Sequence, residues 1–417
     1  MGSRTLAVMG LGLVGCLAEN PLWMDTERGS GPSGGTTTTS AATTAPPGST
    51  TSDDPSASSQ TTGAMPDSSG GSTTGPPPSG IECGPPMTNV AVTGESSGPF
   101  TDFAVRSGLA EGLVAWAEPG QVGVATFDIG GAQPFTSPLP VMAQQVLLAG
   151  SLEEAYVAVD TTPSQIFSVR RTSASLVDFT VPVFPVEGLL VPFPGRFGIL
   201  TRQLANQDSF ARLTLVDVAK AGQTDLDLDR FGPSTWLISE EDPNSGGWVL
   251  FRTTNVDGCA ILRLSLMGEP ETSWILDDEC FDPDIAVAPD GTALVVYHQI
   301  TDGDRLVFAR SIEPEGALSP RVRLGGDSSQ ESGPRVAVFP GGEFLVVWER
   351  QEQLAGQLLP QFPPEGDPML IAPFGVEQGL HEVFTTEDGF GGAVFYDDEG
   401  TFTQGPPGIV ASFLCGP

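Results

Sequence analysis

The chain has 417 residues, and its 52 Asp and Glu residues outnumber 18 Lys and Arg residues to give a formal net charge of −34 at pH 7. A surface of this sign repels nucleic-acid phosphates and anionic lipid headgroups, so both are excluded as partners of the folded part. Of the charged residues, 45 acidic and 16 basic ones follow Glu82, which places the acidity in the second, larger part of the chain.

The first 16 residues, MGSRTLAVMGLGLVGC, have the organisation of an export leader, with Arg4 ahead of an apolar run from Leu6 to Val14. That run is shorter than the ~20 apolar residues that span a bilayer as a helix, and it predicts a signal peptide over residues 1–15. The end of the leader, LVGC at 13–16, resembles the lipobox of bacterial lipoprotein precursors. The resemblance implies cleavage before Cys16 and attachment of acyl chains, palmitate among them, to that residue. The alternative is a soluble secreted protein.

The residue after Cys16 is Leu17, where an aspartate would resemble an inner-membrane retention signal. By that resemblance we expect an outer-membrane lipoprotein of the bacterial cell envelope, exposed at the cell surface. Several acyl chains at one site give firm anchoring, because each buried CH₂ contributes roughly 0.8 kcal/mol.

Residues 16–27 form the start of the tether, and residues 28–82 read as a disordered linker. From Gly29 to Ile81, 42 of 53 residues are Gly, Ser, Thr or Pro, a composition that cannot bury a core. The linker is therefore expected to act as an inert spacer between the membrane anchor and a folded domain at 83–417.

Beyond Cys83, short β-branched and aromatic runs alternate with turn signals, and no amphipathic helix pattern persists. Seven such runs recur, with their last residues 43, 42, 50, 46, 51 and 48 positions apart: LVAW (113–116), AYVAV (155–159), FGILT (197–201), WVLF (248–251), LVVY (294–297), LVVW (345–348) and AVFY (393–396). A period of this size lies in the range of β-propeller blades. The chain is therefore similar to seven-bladed β-propellers with four-stranded blades, an all-β fold. A pair of β-sandwiches is the alternative.

The last repeat supplies only three strands, within 379–388, 391–398 and 408–415. The segment MTNVAVTG (87–94) has no blade of its own and can complete the last blade, which would remove an open sheet edge. This closure predicts a disulfide between Cys83 and Cys415. Four cysteines remain after the leader and no CxxC pair indicates zinc, so two disulfides are expected. Cys259 opens the third strand of the fourth repeat and Cys280 lies just before the first strand of the fifth. In up-and-down blades these positions share one face, opposite the closure, so the second disulfide is expected between them.

Several connections on the face of that second disulfide carry clustered carboxylates: Asp277, Asp278, Glu279, Asp282 and Asp284; Asp302 and Asp304; Asp327 and Glu331; Asp397, Asp398 and Glu399. Oxygen ligands suit Ca²⁺, so these residues are candidates for a calcium or other cation site. Solvated loops are the default explanation of these residues, and no other cofactor is expected. In TDLDLDR, Asp225, Asp227 and Asp229 are expected to face solvent from an outer strand.

No catalytic residue is assigned. His298 and His381 are the only histidines, and each is expected to be structural, since no GxSxG elbow or second partner accompanies it. NSGGW (244–248) resembles the Asp-box turn of sialidases only in part, and no arginine triad or acid pair accompanies it.

These features favour a membrane-anchored, monomeric binding or scaffold protein for a protein, glycan or cation. Two alternatives remain, an extracellular hydrolase or lyase and a purely structural surface protein. A deep funnel lined with carboxylates and arginines would favour the enzyme, and a flat acidic face with exposed aromatic residues would favour binding.

Overall fold

The computed structural model describes residues 81–93, 100–161, 163–177, 186–191, 193, 195–205, 208–217, 222–229, 237–242, 244–253, 258–276, 279–325, 330–351, 353–360, 362, 368–372, 376–397 and 407–417. Within these residues the chain forms 28 strands in seven four-stranded antiparallel sheets. The structure is a seven-bladed β-propeller, as the sequence predicts, and the two-sandwich alternative is wrong.

Six blades are consecutive in sequence. Blades 1 and 2 comprise β2 (Asp102–Arg106), β3 (Gly112–Glu118), β4 (Gln121–Asp128) and β5 (Gly131–Pro134), then β6 (Val146–Gly150), β7 (Ala155–Val159), β8 (Gln165–Arg170) and β9 (Ser173–Leu176). Blades 3 and 4 comprise β10 (Val186–Leu190), β11 (Arg196–Ala205), β12 (Asp208–Asp217) and β13 (Gly222–Asp229), then β14 (Leu237–Glu240), β15 (Gly247–Thr253), β16 (Gly258–Leu264) and β17 (Pro270–Leu276). Blades 5 and 6 comprise β18 (Phe281–Val287), β19 (Ala293–Thr301), β20 (Asp304–Ile312) and β21 (Val322–Arg323), then β22 (Glu331–Val338), β23 (Phe344–Arg350), β24 (Gln353–Leu359) and β25 (Met369–Ala372).

The seventh blade joins the two ends of the folded region. It contains β26 (Val376–Thr385), β27 (Gly391–Asp397) and β28 (Gly408–Gly416), and its outer strand is β1 (Glu82–Ala91), in the order β1-β28-β27-β26. The predicted ring closure is confirmed, although β1 begins earlier than the segment 87–94. Its register pairs Cys83 with Cys415 and Ala91 with Val410.

All seven runs that set the period fall in the second strands of the blades, β3, β7, β11, β15, β19, β23 and β27. These strands are buried on both faces because each blade packs between two others, so they read as continuous apolar runs. Trp348 on β23 and Tyr297 on β19 are both fully buried. At the closure, the ring of Phe384 lies 4.9 Å from the rings of both Phe127 of blade 1 and Phe413 of β28.

In blades 5 and 6, a Pro-x-Gly turn connects the first strand to the second strand. Gly291 has φ 91° and donates its N–H to the Ala288 carbonyl at 2.8 Å, and Gly342 has φ 95° and donates to Phe339 at 2.9 Å. Glycine adopts this left-handed conformation without steric cost, which accounts for its place at the end of each turn.

Two disulfides connect Cys83 to Cys415 and Cys259 to Cys280, with Cα–Cα distances of 4.1 and 6.1 Å. Both predicted pairings are confirmed. Cys83 lies at the start of β1, whereas Cys259 opens the third strand of blade 4. In an up-and-down blade these positions belong to opposite faces of the ring. We call them the closure face, which contains Cys83, and the acidic face, which contains Cys259.

Candidate functional site

The first strand of every blade lies at the ring axis. Hydrogen bonds from backbone to carboxylate join neighbouring first strands: the Val146 N–H donates to Asp102 Oδ2 at 2.9 Å, and the Val336 N–H donates to Asp284 Oδ2 at 2.8 Å. Between these strands lies a cavity of about 740 Å³, to which all seven blades contribute. This size is typical of small-molecule sites. We call this cavity the central channel.

The channel opens between the ends of the first strands at the closure face, where Arg106, Glu240 and Glu241 form a mouth cluster. Arg106 Nη2 lies 2.6 Å from Glu241 Oε2, although the two residues are 135 positions apart. Glu241 Oε1 also accepts the Val191 N–H at 2.9 Å, so this carboxylate is held by both partners. Burial raises the pKa of Glu240 to about 8, against the opposing charge of Arg106. We therefore expect Glu240 to hold a proton at neutral pH.

A second group of charges, the inner cluster, lies further from this mouth and consists of Asp102, Asp284, Arg335 and Glu382. Arg335 Nε lies 3.5 Å from Glu382 Oε1. Burial raises the pKa of Glu382 to about 7 and that of Asp102 to about 6, and it also raises the pKa of Asp284. Glu382 remains 34% exposed, so solvent reaches it.

The charges of the two clusters affect each other. The charge of Asp284 in the inner cluster adds to that of Glu241 in raising the pKa of Glu240. Four carboxyl groups, those of Glu240, Glu241, Asp284 and Glu382, line the channel together with the guanidinium group of Arg106. Arg335 and Asp102 are not part of the lining, but both act on the charge of Glu382. Each arginine is paired with one glutamate. The channel can therefore bind cations and exchange protons near neutral pH.

Neither histidine is among the residues that line the channel. His298 is buried, its Nδ1 lies 3.5 Å from Asp282 Oδ2, and burial lowers its pKa. His381 on β26 is buried with its Nδ1 3.8 Å from Glu349 Oε1, and burial lowers its pKa to about 3, so it stays neutral. The placement of both side chains agrees with the structural role that the sequence indicates.

Three of the acidic residues that the sequence places in surface connections do not lie there, so the prediction is wrong for them. Asp284 lies on β18 and lines the channel, while Glu331 and Asp397 are fully buried within β22 and β27. The cause is that the strands extend further toward the acidic face than their apolar runs suggest. Asp282, Asp302 and Asp304 remain solvent-accessible there, and Glu279 is exposed.

The calcium hypothesis stays a prediction. Asp277, Asp278, Asp327, Asp398 and Glu399 lie outside the described residues. Among the residues that are described, no three His, Cys, Asp or Glu side chains are grouped so as to hold a metal ion.

The alternating aspartates of β13 lie on an outer strand, as predicted. Asp225 and Asp227 are exposed, and Asp227 Oδ1 pairs with Arg212 Nε at 2.8 Å. Nothing is described of the Asp229 side chain.

NSGGW (244–248) belongs to a tight turn built around Asp242. This carboxylate is fully buried and accepts hydrogen bonds from Ser245 Oγ at 2.7 Å, Trp248 Nε1 at 3.1 Å and the Asn244 N–H at 2.8 Å. The turn therefore stabilises blade 4.

The leader, Cys16, the tether and residues 28–80 of the linker lie outside the described residues. The predicted end of the linker at residue 82 is wrong by one residue, because Glu82 already belongs to β1. Among the residues that the structure does describe, no helix is long and apolar enough to cross a membrane. The anchor, its lipid and the localisation at the outer membrane therefore stay predictions.

Sequence reasoning missed Asp102, Arg106, Glu240, Glu241, Arg335 and Glu382 as site residues. The available signal was positional: each lies in or next to the strand that precedes an apolar run, and the first strand of a blade faces the axis. Only Asp284 had been singled out, and it had been placed at the surface.

Comparison with solved structures shows the fold alone. The chain is similar to Kuenenia stuttgartiensis hydrazine synthase, with 11% identity, a TM-score of 0.51, and coverage of 77% of this chain and 98% of that one. It also matches polysaccharide lyase Uly1, with 9% identity, a TM-score of 0.48, and 78% and 92% coverage. For the Myceliophteria thermophila Cps50 (Swd1) β-propeller domain, identity is 14%, the TM-score is 0.49, and coverage is 78% and 98%. No protein-family model matches the chain, and comparison with curated proteins gives no match.

Proposed function

We propose that this protein is a lipid-anchored binding protein of the bacterial cell surface and that its central channel holds a small polar ligand. The observation that carries this proposal is the cavity of about 740 Å³ that brings charged side chains from separate blades together. Buried charges reduce stability unless they are compensated, so a cluster of this kind at the centre of a fold is typical of a functional site.

A ligand-binding function agrees with the ion pairs inside the channel. Both arginines contact a glutamate, and the ordered Glu241 is held by Arg106 and by the backbone of Val191. Side chains that are already fixed by neighbours lose little conformational freedom on binding, which favours affinity. The anchor at Cys16 and the linker would present this site outside the cell envelope.

A hydrolase or lyase is the second candidate, because the channel is lined with several carboxylates and with Arg106. Glu240, with a pKa of about 8, and Glu382, with a pKa of about 7, have the protonation behaviour of general acids or bases near neutral pH. Glu240→Gln would abolish such an activity. Release of new reducing or unsaturated ends from surface polysaccharides is the assay that distinguishes this candidate from simple binding.

The channel proposal is tested with a variant that narrows its mouth. Ser151 is an exposed residue of the lining, and Ser151→Trp would place an indole there. Ser175→Trp is the matched control, since Ser175 is exposed on the outer strand of the same blade. Calorimetric titrations of the purified full-length protein would use 1,4-diaminobutane, glucose and succinate as cationic, neutral and anionic probes.

We expect at least one probe class to bind, with affinity lost in Ser151→Trp and kept in Ser175→Trp. Binding that survives Ser151→Trp, or none of the three probe classes binding, would contradict a ligand site in the channel.

A further inference from the structure

The channel contains more acid than base in each of its two clusters. The mouth cluster has two carboxyl groups for Arg106, and the inner cluster has three for Arg335. Two further glutamates, Glu154 and Glu387, complete the lining near the mouth, and Glu154 is already paired with Arg170 at 2.8 Å. In the ligand-free channel, carboxyl groups thus outnumber guanidinium groups. This deficit of positive charge occurs in both clusters and not at one point.

Protons compensate for this deficit in the free protein. Burial comes first among the causes that raise the pKa values of Glu240, Glu382 and Asp102, and the nearby arginines oppose the shift without cancelling it. Desolvated carboxyls take up protons where the nearby cations offset the effect of burial only in part, whereas an additional cation at hydrogen-bond distance favours the ionised form. A ligand that brings positive charge would therefore displace protons from these groups.

The lining also includes apolar residues that are partly exposed. Val105, Leu109, Val191 and Val338 belong to the same cavity as Glu240 and Glu382. The cavity thus combines carboxylates with surfaces that suit methylene groups, because apolar contact stabilises by roughly 0.8 kcal/mol for each buried CH₂. A compact metal ion uses only the carboxylates, whereas a chain with amino groups at intervals uses the carboxylates and the apolar surface.

We propose that the ligand of the central channel is a linear aliphatic oligoamine, with one ammonium group at the mouth cluster and another at the inner cluster. The inference rests on the proposed function, since it assumes that the channel is a ligand site. Glu240 and Glu382 would accept hydrogen bonds from the two ammonium groups, and the apolar lining would contact the methylene chain. The protons that these carboxyls lose pass to the buffer, so that binding releases protons.

The test is calorimetric titration of the full-length protein with 1,4-diaminobutane at pH 7.5 and ~150 mM NaCl, which screens non-specific attraction to an acidic surface. Comparison of buffers with different ionisation enthalpies gives the number of protons released. We expect binding with proton release that disappears at pH 9, where Glu240 and Glu382 are already ionised. Butylamine and CaCl₂ should each bind at least about tenfold more weakly, the equivalent of one lost charge contact.

Glu240→Gln and Glu382→Gln keep the side-chain shape and remove the charge, and each should weaken 1,4-diaminobutane binding at least about tenfold. Glu269→Gln is the control, because Glu269 is exposed in a turn of blade 4. Thermal melting of each variant checks that it is folded. Equal binding of butylamine or CaCl₂, or no difference between Glu240→Gln and Glu269→Gln, would overturn the oligoamine assignment.

The two proposals fail in different ways. If glucose or succinate binds and Ser151→Trp removes that binding, the channel is the site and only the oligoamine assignment is wrong. If 1,4-diaminobutane binds equally to Ser151→Trp and to the unmodified protein, its site is elsewhere and both proposals are wrong.

Discussion

Cys83 and Cys415 lie opposite each other in the register of β1 and β28, with Cα atoms 4.1 Å apart and a sequence separation of 332. The disulfide therefore joins the two ends of the propeller where the last blade is completed. Cys259 and Cys280, by contrast, are separated by 21 positions and connect blade 4 to blade 5. The two bridges differ in the length of chain that each one closes.

Because loop-closure entropy grows with loop length, the double variant Cys83→Ser/Cys415→Ser should lower the free energy of unfolding by about 6 kcal/mol and Cys259→Ser/Cys280→Ser by about 3 kcal/mol on the chain-entropy model. Urea unfolding under non-reducing conditions measures both. An equal or larger loss for Cys259→Ser/Cys280→Ser would contradict the role of β1 in closing the ring.

The sequence predicted the number of blades because the second strands are buried on both faces. A strand such as β19 has Leu294 to Tyr297 fully buried, so its apolar run is conspicuous. The ring closure followed from counting strands in the last repeat, and the disulfide between Cys83 and Cys415 followed from the closure.

The channel could not be predicted in this way. On β18, Asp284 is followed by the buried Ile285, and on β26, Glu382 lies between the buried His381 and Val383. This alternation is typical of any half-exposed strand. Arg106 and Glu241 meet because blades 1 and 4 both face the axis, a relationship that no local pattern contains.

The lipid anchor is a prediction from the leader alone. Cys16→Ser should abolish fatty-acid labelling and release the protein from the membrane fraction, because the thiol is the acyl acceptor in the proposed processing. Labelling with a palmitate analogue, followed by membrane fractionation, measures both effects. A mature protein that starts elsewhere and has no lipid would show that the leader belongs to a soluble secreted protein.

Asp242 is expected to be the most sensitive position of blade 4. Asp242→Ala would leave the donors of Ser245 and Trp248 buried without their acceptor, and it would remove the carboxylate that faces Arg263 Nη2 at 3.4 Å. Loss of one partner from such a buried network costs about 3–5 kcal/mol. Asp242→Asn keeps one acceptor oxygen and should cost less.

Chemical unfolding measures these differences. Glu315→Ala at an exposed turn is the control, with an expected effect within about 0.5 kcal/mol. A loss for Asp242→Ala as small as that of the control would show that the turn does not brace the blade.

The pH dependence of stability provides a test of the channel electrostatics without any ligand. Glu240, Glu382 and Asp102 have folded-state pKa values of about 8, 7 and 6, above their ordinary values of 4.5, 4.5 and 3.8. The folded protein therefore binds more protons than the unfolded chain, and the stability linked to these protons is full below pH ~4 and is lost as the pH rises through the folded-state values.

The histidines change the stability with pH in the opposite direction and in a lower pH range. Burial lowers the pKa values of His381, to about 3, and of His298 below the ordinary 6.5, so their linked stability increases as the pH rises toward 6.5 and is then complete. Above pH 7 the carboxyl groups determine how the stability changes with pH. The urea midpoint of the unmodified protein should accordingly fall between pH 7 and pH 9.

Glu240→Gln removes the group that contributes most to the change of stability between pH 7 and pH 9, because the amide resembles the protonated acid and does not titrate. The variant should lose less stability than the unmodified protein between pH 7 and pH 9, whereas Glu269→Gln should follow the unmodified protein. Parallel curves for all three proteins would mean that Glu240 is ionised at neutral pH in the folded state. In that case the mouth cluster would hold its full negative charge without protons, and oligoamine binding at pH 7.5 would occur without the proton release expected from Glu240.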